Sequence, residues 1–225
     1  MLKVLDSVDP FIILLALVPL IAYLLVISTV RLSGRALVTT GGRDIAALAM
    51  AVSGLLAVGP AELFFPNAAA TAFGPAVWLA LAVFYGLSVS LIVLSFSPRI
   101  AVYGRTAEEL YEPLLAAAKT LDANAAGDRG LLQMTLPALG IHLRIDGHRG
   151  IDYAQIVAFE PNVSLGFWSK LLAATRAEVQ GQTPPLPRRG FAMLFFAFVL
   201  GGVLITKSFG HQELLVQGFR DWLWR

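Results

Sequence analysis

The sequence contains no cysteine. That one absence excludes disulfides, thiolate metal sites, iron–sulfur clusters and cysteine nucleophiles together. Charge is also scarce. Of 225 residues, 57% are hydrophobic and 14% charged, against roughly 25% charged in a water-soluble domain. The deficit points to lipid as solvent. A formal net charge of +2 and the lack of a basic tract give nucleic acid nothing to bind. Signatures of chemistry are missing too: there is no G-x-S-x-G elbow, no P-loop and no dinucleotide fingerprint. No internal repeat of the kind found in transporters is evident. The long apolar runs carry no ionisable residue at mid-span. Such groups cost ~2.5–3.5 kcal/mol on insertion scales and persist where ions or protons move. A self-contained transporter is therefore a poor reading, and no cofactor is expected.

What the chain does have is apolar length. Residues 11–30 form a run without a formal charge, and similar runs follow at 45–65, 76–96 and 191–205. A helix rises ~1.5 Å per residue, so about twenty residues cross a hydrocarbon core of ~30 Å. The expected organisation is transmembrane helices one to three within residues 1–96, an extramembrane domain at 97–189, a fourth transmembrane helix at 190–209 and an amphipathic helix at 210–225. The first run exceeds a signal-peptide core and no A-x-A site follows it, so it reads as a retained span. Asp9 and Pro10 suit its helix start, and Pro19 predicts a kink. Asp44 reads as the cap of the second span. That span carries Ala49, Ser53 and Ala57 on one face, a small-residue ridge that lets another helix approach closely.

Basic residues in short loops set orientation. Arg31, Arg35 and Arg43 occupy the first loop, the second has no Lys or Arg, and Arg99, Arg105, Arg188 and Arg189 flank the third. The expected topology places both termini outside and the domain at 97–189 in the cytoplasm. The Ala- and Gly-rich composition suggests a bacterial cytoplasmic membrane. In the tail, Leu214, Leu215, Phe219, Trp222 and Leu223 share a helical face, and Trp224 follows. This predicts a helix lying in the membrane interface through Phe219, Trp222 and Trp224, with a docking helix for a partner as the alternative.

Within the domain, 100–103 reads as a strand, and Thr106 with Glu109 as a capping box opening a helix that buries Leu110, Leu114, Ala118 and Leu121. Strands follow around Leu132–Leu136, at 141–146 and at 151–159, with Asp146-Gly147 as a hairpin dipeptide. A helix over 164–180 is expected to turn Leu165, Trp168, Leu171 and Leu172 inward. The order β-α-β-β-β-α predicts a small α+β layer, linked onward by the stiff 183–187 segment.

Candidate chemistry is thin. His142, Asp146 and His148 could offer metal ligands from one strand face, but Arg144 would stand among them and repel a cation; a solvated strand face is the plainer reading. Gly41, Gly42 and Arg43 precede a helix and could hold an anion or lipid head group, without the spacing of a phosphate loop. Glu108, Glu109 and Glu112 sit at a helix start, where negative charge is favourable regardless of chemistry. Tyr153 and Trp168 read as core or interface aromatics. The pattern favours a non-catalytic membrane subunit or assembly factor, with the lipid bilayer and other membrane subunits or a second copy as partners. The rivals are a head-group-modifying enzyme using Arg43 or the His142–His148 strand, and a homo-oligomeric channel lined by Tyr85, Ser88 and Ser90.

Overall fold

The computed structural model describes residues 10–59, 74, 76–182, 190–209 and 212–223. Chain order is α1 (Pro10–Ser33), β1 (Leu37–Thr40), α2 (Gly41–Val58), α3 (Ala76–Ser95), β2 (Ile100–Tyr103), α4 (Ala107–Leu121), β3 (Ala126–Asp128), β4 (Gln133–Leu136), β5 (Ile141–Gly147), β6 (Tyr153–Ala158), α5 (Leu165–Gln180), α6 (Phe191–Ser208) and α7 (Gln212–Leu223). Four of these helices, α1, α2, α3 and α6, are long and apolar enough to cross a membrane. Residues 1–26, 46–92 and 192–225 group as one unit, and residues 27–45 and 93–191 as a second.

In the helical unit α1 and α2 approach each other closely at Gly54. A Cβ at Gly54 would run into the backbone carbonyl of Leu15, so only glycine admits the contact. Ala51, one turn earlier, is buried. The ridge of Ala49, Ser53 and Ala57 lies beside this seam and is half-buried. On it, the Ala49 carbonyl accepts a hydrogen bond from Tyr85 Oη of α3 at 2.6 Å, while Ser53 bonds back to Met50 of its own helix. Leu79, Phe84, Leu87, Leu91 and Leu94 of α3 and Phe191, Phe195, Phe196 and Phe198 of α6 are exposed, a surface that suits lipid. Pro19 lies inside a helix assigned without interruption from Pro10 to Ser33. Gly201 and Gly202 have nothing within 4 Å of where a Cβ would sit, so they are not a packing notch among the described residues. Phe219 of α7 is half-exposed and meets Phe11 edge-on, with ring centroids 5.8 Å apart. Trp222 lies in α7, Asp9, His211 and Trp224 lie outside the described residues, and so do most of the second loop and the 183–187 link.

The second unit is a six-stranded antiparallel sheet in the order β1-β2-β6-β5-β4-β3, with α4 and α5 on one face. Alternation along β4, β5 and β6 makes the layer. Val38, Ile100, Val102, Ala154, Ile156, Leu143, Ile145, Met134 and Leu136 face the helices and join Leu110, Leu114, Ala118, Trp168, Leu171 and Val179 in one core. α4 begins as its sequence demands: Thr106 Oγ1 accepts from the Glu109 amide at 3.3 Å, and the Glu109 carboxylate accepts from the Thr106 amide at 2.9 Å. Asp122 ends it; this buried carboxylate accepts from the amides of Asn124 (2.9 Å) and Ala138 (2.8 Å), tying the helix end to the β4–β5 turn.

Several expectations need correction. β1 comes from the first inter-span loop, so the sheet has an edge strand outside 97–189, and β3 is a second strand absent from the expected order. Both are short and polar or half-exposed, which leaves no apolar alternation to read. β5 runs through Gly147, so the chain reverses after Asp146-Gly147, and Ile151 N–H closes that reversal onto the His148 carbonyl at 3.0 Å. Leu165 is exposed, not inward: it is the first residue of α5 after the capping Ser164. The cap of α2 is Thr40, not Asp44, because β1 passes directly into the helix and Thr40 Oγ1 accepts from the Arg43 amide at 3.3 Å.

Candidate functional site

The outward sheet face divides into two chemically different halves. Strand register places Leu37, Tyr103 and Tyr153 in one row and Thr39, Ala101, Gln155 and Asp146 in the next. Arg144 stands opposite Val157 and Gln133, and His142 opposite Thr135. The β1-β2-β6 half is engaged by residues 31–44 of the same unit. The β5-β4 half is open to solvent.

On the engaged half, three polar contacts clamp the chain between α1 and α2. Arg31, in the last turn of α1, forms a two-pronged ion pair with Asp152, with Nε 2.7 Å from Oδ2 and the second contact between Nη2 and Oδ1. The side chains are only 15% and 9% exposed. Arg105, 2% exposed, donates through Nη1 to the carbonyls of Gly34 (3.2 Å) and Gly104 (3.0 Å). Gly104 has φ +83°, and a Cβ there would press on the Arg35 carbonyl at 3.1 Å, so glycine serves both the turn and the close approach. Third, the Asp44 carboxylate accepts hydrogen bonds from Tyr103 Oη and from Tyr153 Oη, the latter at 3.1 Å. The two rings meet tilted at 54°, with centroids 4.8 Å apart, and Gln155 Nε2 donates to Tyr153 Oη.

The electrostatics of this cluster suit structure better than proton transfer. Burial pushes the Tyr153 phenol up, and the neighbouring Asp44 carboxylate pushes the same way against Gln155 and Arg99. A phenol held above its ordinary value stays protonated at neutral pH and serves as a hydrogen-bond donor, not a base. Arg105 is lowered by burial, partly countered by Glu109, and a guanidinium still remains charged.

The residues singled out from sequence are distributed otherwise. Gly41 N–H donates to the Arg99 carbonyl at 2.8 Å and Arg43 N–H to Thr40, so two amides of the suspected anion nest already have partners. A Cβ at Gly41 would meet the Arg99 side chain, and one at Gly42 would lie 2.9 Å from Val93 Cγ1. These glycines admit neighbouring side chains. Arg43 is exposed.

The metal reading also fails to assemble. His142 Nδ1 lies 2.7 Å from Glu160 Oε1, Arg144 Nε lies 2.6 Å from Asp146 Oδ1, and His148 sits in the turn beyond β5. Among the described residues, no three His, Asp or Glu side chains could hold a metal ion together. Ser88 and Ser90 donate to the carbonyls of Phe84 and Gly86 in their own helix at 2.8 Å. Glu108 is exposed, and Glu112 pairs with Arg129 at 3.3 Å on the surface. Sequence reasoning missed Asp152, Glu160, Gln155 and the pairing role of Asp44. A sign was available: Tyr103 and Tyr153 lie on strands, and a half-buried phenol needs a hydrogen-bond partner.

The fold and its polar clamp define a class: a protein with four helices long and apolar enough for a membrane and a separate α+β unit. Comparison with known proteins adds no narrower identity, since no family model, curated protein or solved structure matches the chain.

Proposed function

We propose that this protein is a non-catalytic membrane subunit or assembly factor that presents its α+β unit to a partner on the cytoplasmic side. The observation that carries the reading is the state of its polar residues. His142 is paired with Glu160, Arg144 with Asp146, Asp44 with two tyrosines, and Arg31 with Asp152. Such mutual pairing leaves, among the described residues, no nucleophile poised beside a base, the arrangement that acyl or phosphoryl transfer needs. Exposed apolar residues on α3 and α6 offer area for lipid or for helices of another subunit.

The test is solubilisation from native membranes in mild detergent, with chemical crosslinking before extraction. A defined second membrane protein should crosslink to β4 and β5 or to α3 and α6 and co-migrate through two purification steps. A monodisperse single chain that crosslinks to nothing would overturn the proposal.

A further inference from the structure

The second unit contains a groove of about 780 Å³, within the roughly 300–1,000 Å³ typical of small-molecule sites. Its lining includes Thr29, Arg35, Arg105, Val179 and Gln180, and no Asp or Glu. Arg105 is the unusual member. It is almost wholly buried, yet no carboxylate is hydrogen-bonded to it among the described residues. Nη1 is committed to two backbone carbonyls, while Nε and Nη2 have no protein acceptor among the described residues. The nearby Glu109 carboxylate is held by the Thr106 amide.

Nε and Nη2 form the side-on fork of a guanidinium, whose two parallel N–H bonds match two oxygens of a phosphate or carboxylate. Neither atom is among the buried unpartnered groups of the described residues, so the fork is open to solvent, and an anion there would meet two parallel charged donors. Arg35 adds a second positive charge to the lining and Gln180 an amide donor, while Val30, Ala36, Leu37 and Val179 give an apolar wall. A charged corner against an apolar wall suits a ligand with an anionic head and a carbon body.

We infer that this groove binds a phosphate ester, with the phosphate on the free fork of Arg105 and the organic portion against Val30, Leu37 and Val179. A phospholipid head group and a soluble glycerol phosphate share this chemistry. The site stands on the second unit alone and does not depend on the protein being a subunit.

The experiment uses the full chain, purified in neutral detergent and returned to nanodiscs. Binding is read by native mass spectrometry with phosphatidylglycerol and phosphatidylcholine as lipid probes, and glycerol 3-phosphate and inorganic phosphate as soluble ones. One saturable site is expected, preferring the anionic phosphate ester, and weakened by about tenfold or more in Arg105→Gln through loss of a bidentate charged contact. Because Arg105 also holds Gly34 and Gly104, its loss threatens the fold. Arg35→Glu and Gln180→Glu alter exposed positions on the groove, and both are expected to weaken binding while leaving the melting temperature unchanged. Displacement of bound lipid by glycerol 3-phosphate would identify a soluble ligand, and lipid binding indifferent to it a membrane one; either supports the site. Equal occupancy by phosphatidylcholine and phosphatidylglycerol, or unchanged binding in Arg35→Glu and Gln180→Glu, would overturn it.

Discussion

Replacing Asp152 by alanine tests whether the inter-span segment belongs to the sheet or merely lies against it. Arg31 and Asp152 are separated by 121 positions, so their pairing carries no local sequence preference. With both side chains less than a sixth exposed, solvent screening is weak. Removing one partner of a buried pair costs about 3–5 kcal/mol, because the remaining charge is left in a poorly solvated place. Residual exposure places this pair near the lower bound, about 3 kcal/mol. By contrast the Arg129–Glu112 pair, with side chains 67% and 59% exposed, should contribute less than ~1 kcal/mol. Denaturant unfolding followed by far-UV circular dichroism gives the loss for the unit. Hydrogen exchange locates it, with protection expected to fall first in β1 and in β2 near Gly104, whose amide donates to the Asp152 carbonyl at 2.9 Å. The double variant Arg31→Met, Asp152→Leu should be less damaged than the sum of the singles, with a coupling of about 1–3 kcal/mol. A single-variant loss no larger than that of Glu112→Ala, or strict additivity in the cycle, would refute the reasoning.

Three further outcomes follow from other parts of the molecule. Gly54→Ala should cost about 1–3 kcal/mol through overpacking against Leu15, whereas Gly201→Ala, with nothing within 4 Å, should be neutral or stabilising; detergent-induced unfolding compares them. Partial desolvation pushes the Glu160 carboxyl up, but hydrogen bonds from the amide and ring of His142 outweigh it and hold the group below its ordinary 4.5. A depressed carboxyl stabilises the fold above its unfolded value and loses that contribution as pH falls through the folded one. The acid limb of the stability curve should therefore flatten slightly in Glu160→Gln, by under ~1 kcal/mol for so exposed a pair. Because the chain has no cysteine, Glu108→Cys gives a single reporter in α4. The proposed topology requires it to resist a membrane-impermeant maleimide in intact cells and react after lysis, and labelling from outside would invert that topology.

What could be read from residue order and what could not separate along a physical line. Apolar length is additive along a chain, so the four membrane-length helices were legible without any partner. Alternation is also local, which is why β2, β4, β5 and β6 and the cap of α4 emerged from patterns such as Leu143 and Ile145 against His142 and Arg144. β1 was not legible, since Leu37–Thr40 has one buried residue, Val38, and its strand state comes from pairing with Ile100–Tyr103 far along the chain. The glycines at 41 and 42 look like an anion loop in sequence because a nest for phosphate and a gap for Arg99 have the same requirement, a missing Cβ. Asp44 and Tyr153 each had an ordinary local reading, a helix cap and a core aromatic. Only their meeting across 109 positions revealed a joint one.

The two halves of the outward sheet face lead to opposite expectations for superficially similar substitutions. Tyr103, Tyr153 and Asp44 share buried or half-buried hydrogen bonds, and Tyr153→Phe leaves Asp44 and Gln155 each short of a partner; a buried donor or acceptor left unsatisfied costs about 1–3 kcal/mol. Arg144 and Asp146 also form a short pair, but their side chains are 44% and 43% exposed, and Arg144 additionally lies over the Phe159 ring at 5.5 Å. Exposed pairs contribute ~0–1 kcal/mol and exposed cation–π contacts about 0.5–1 kcal/mol. Arg144→Ala should therefore lower stability by about 0.5–2 kcal/mol, the sum of two exposed contacts. If β5 and β4 present the surface that a partner reads, Arg144→Glu should abolish crosslinking to that partner, and Arg144→Ala, which adds no like charge beside Asp146, should weaken it while the unit still melts cooperatively. Tyr153→Phe should do the reverse, shifting the melt and sparing the crosslink. Should Arg144→Ala and Tyr153→Phe fail in the same assay, the sheet would not be divided between a half that holds the fold and a half that meets a partner.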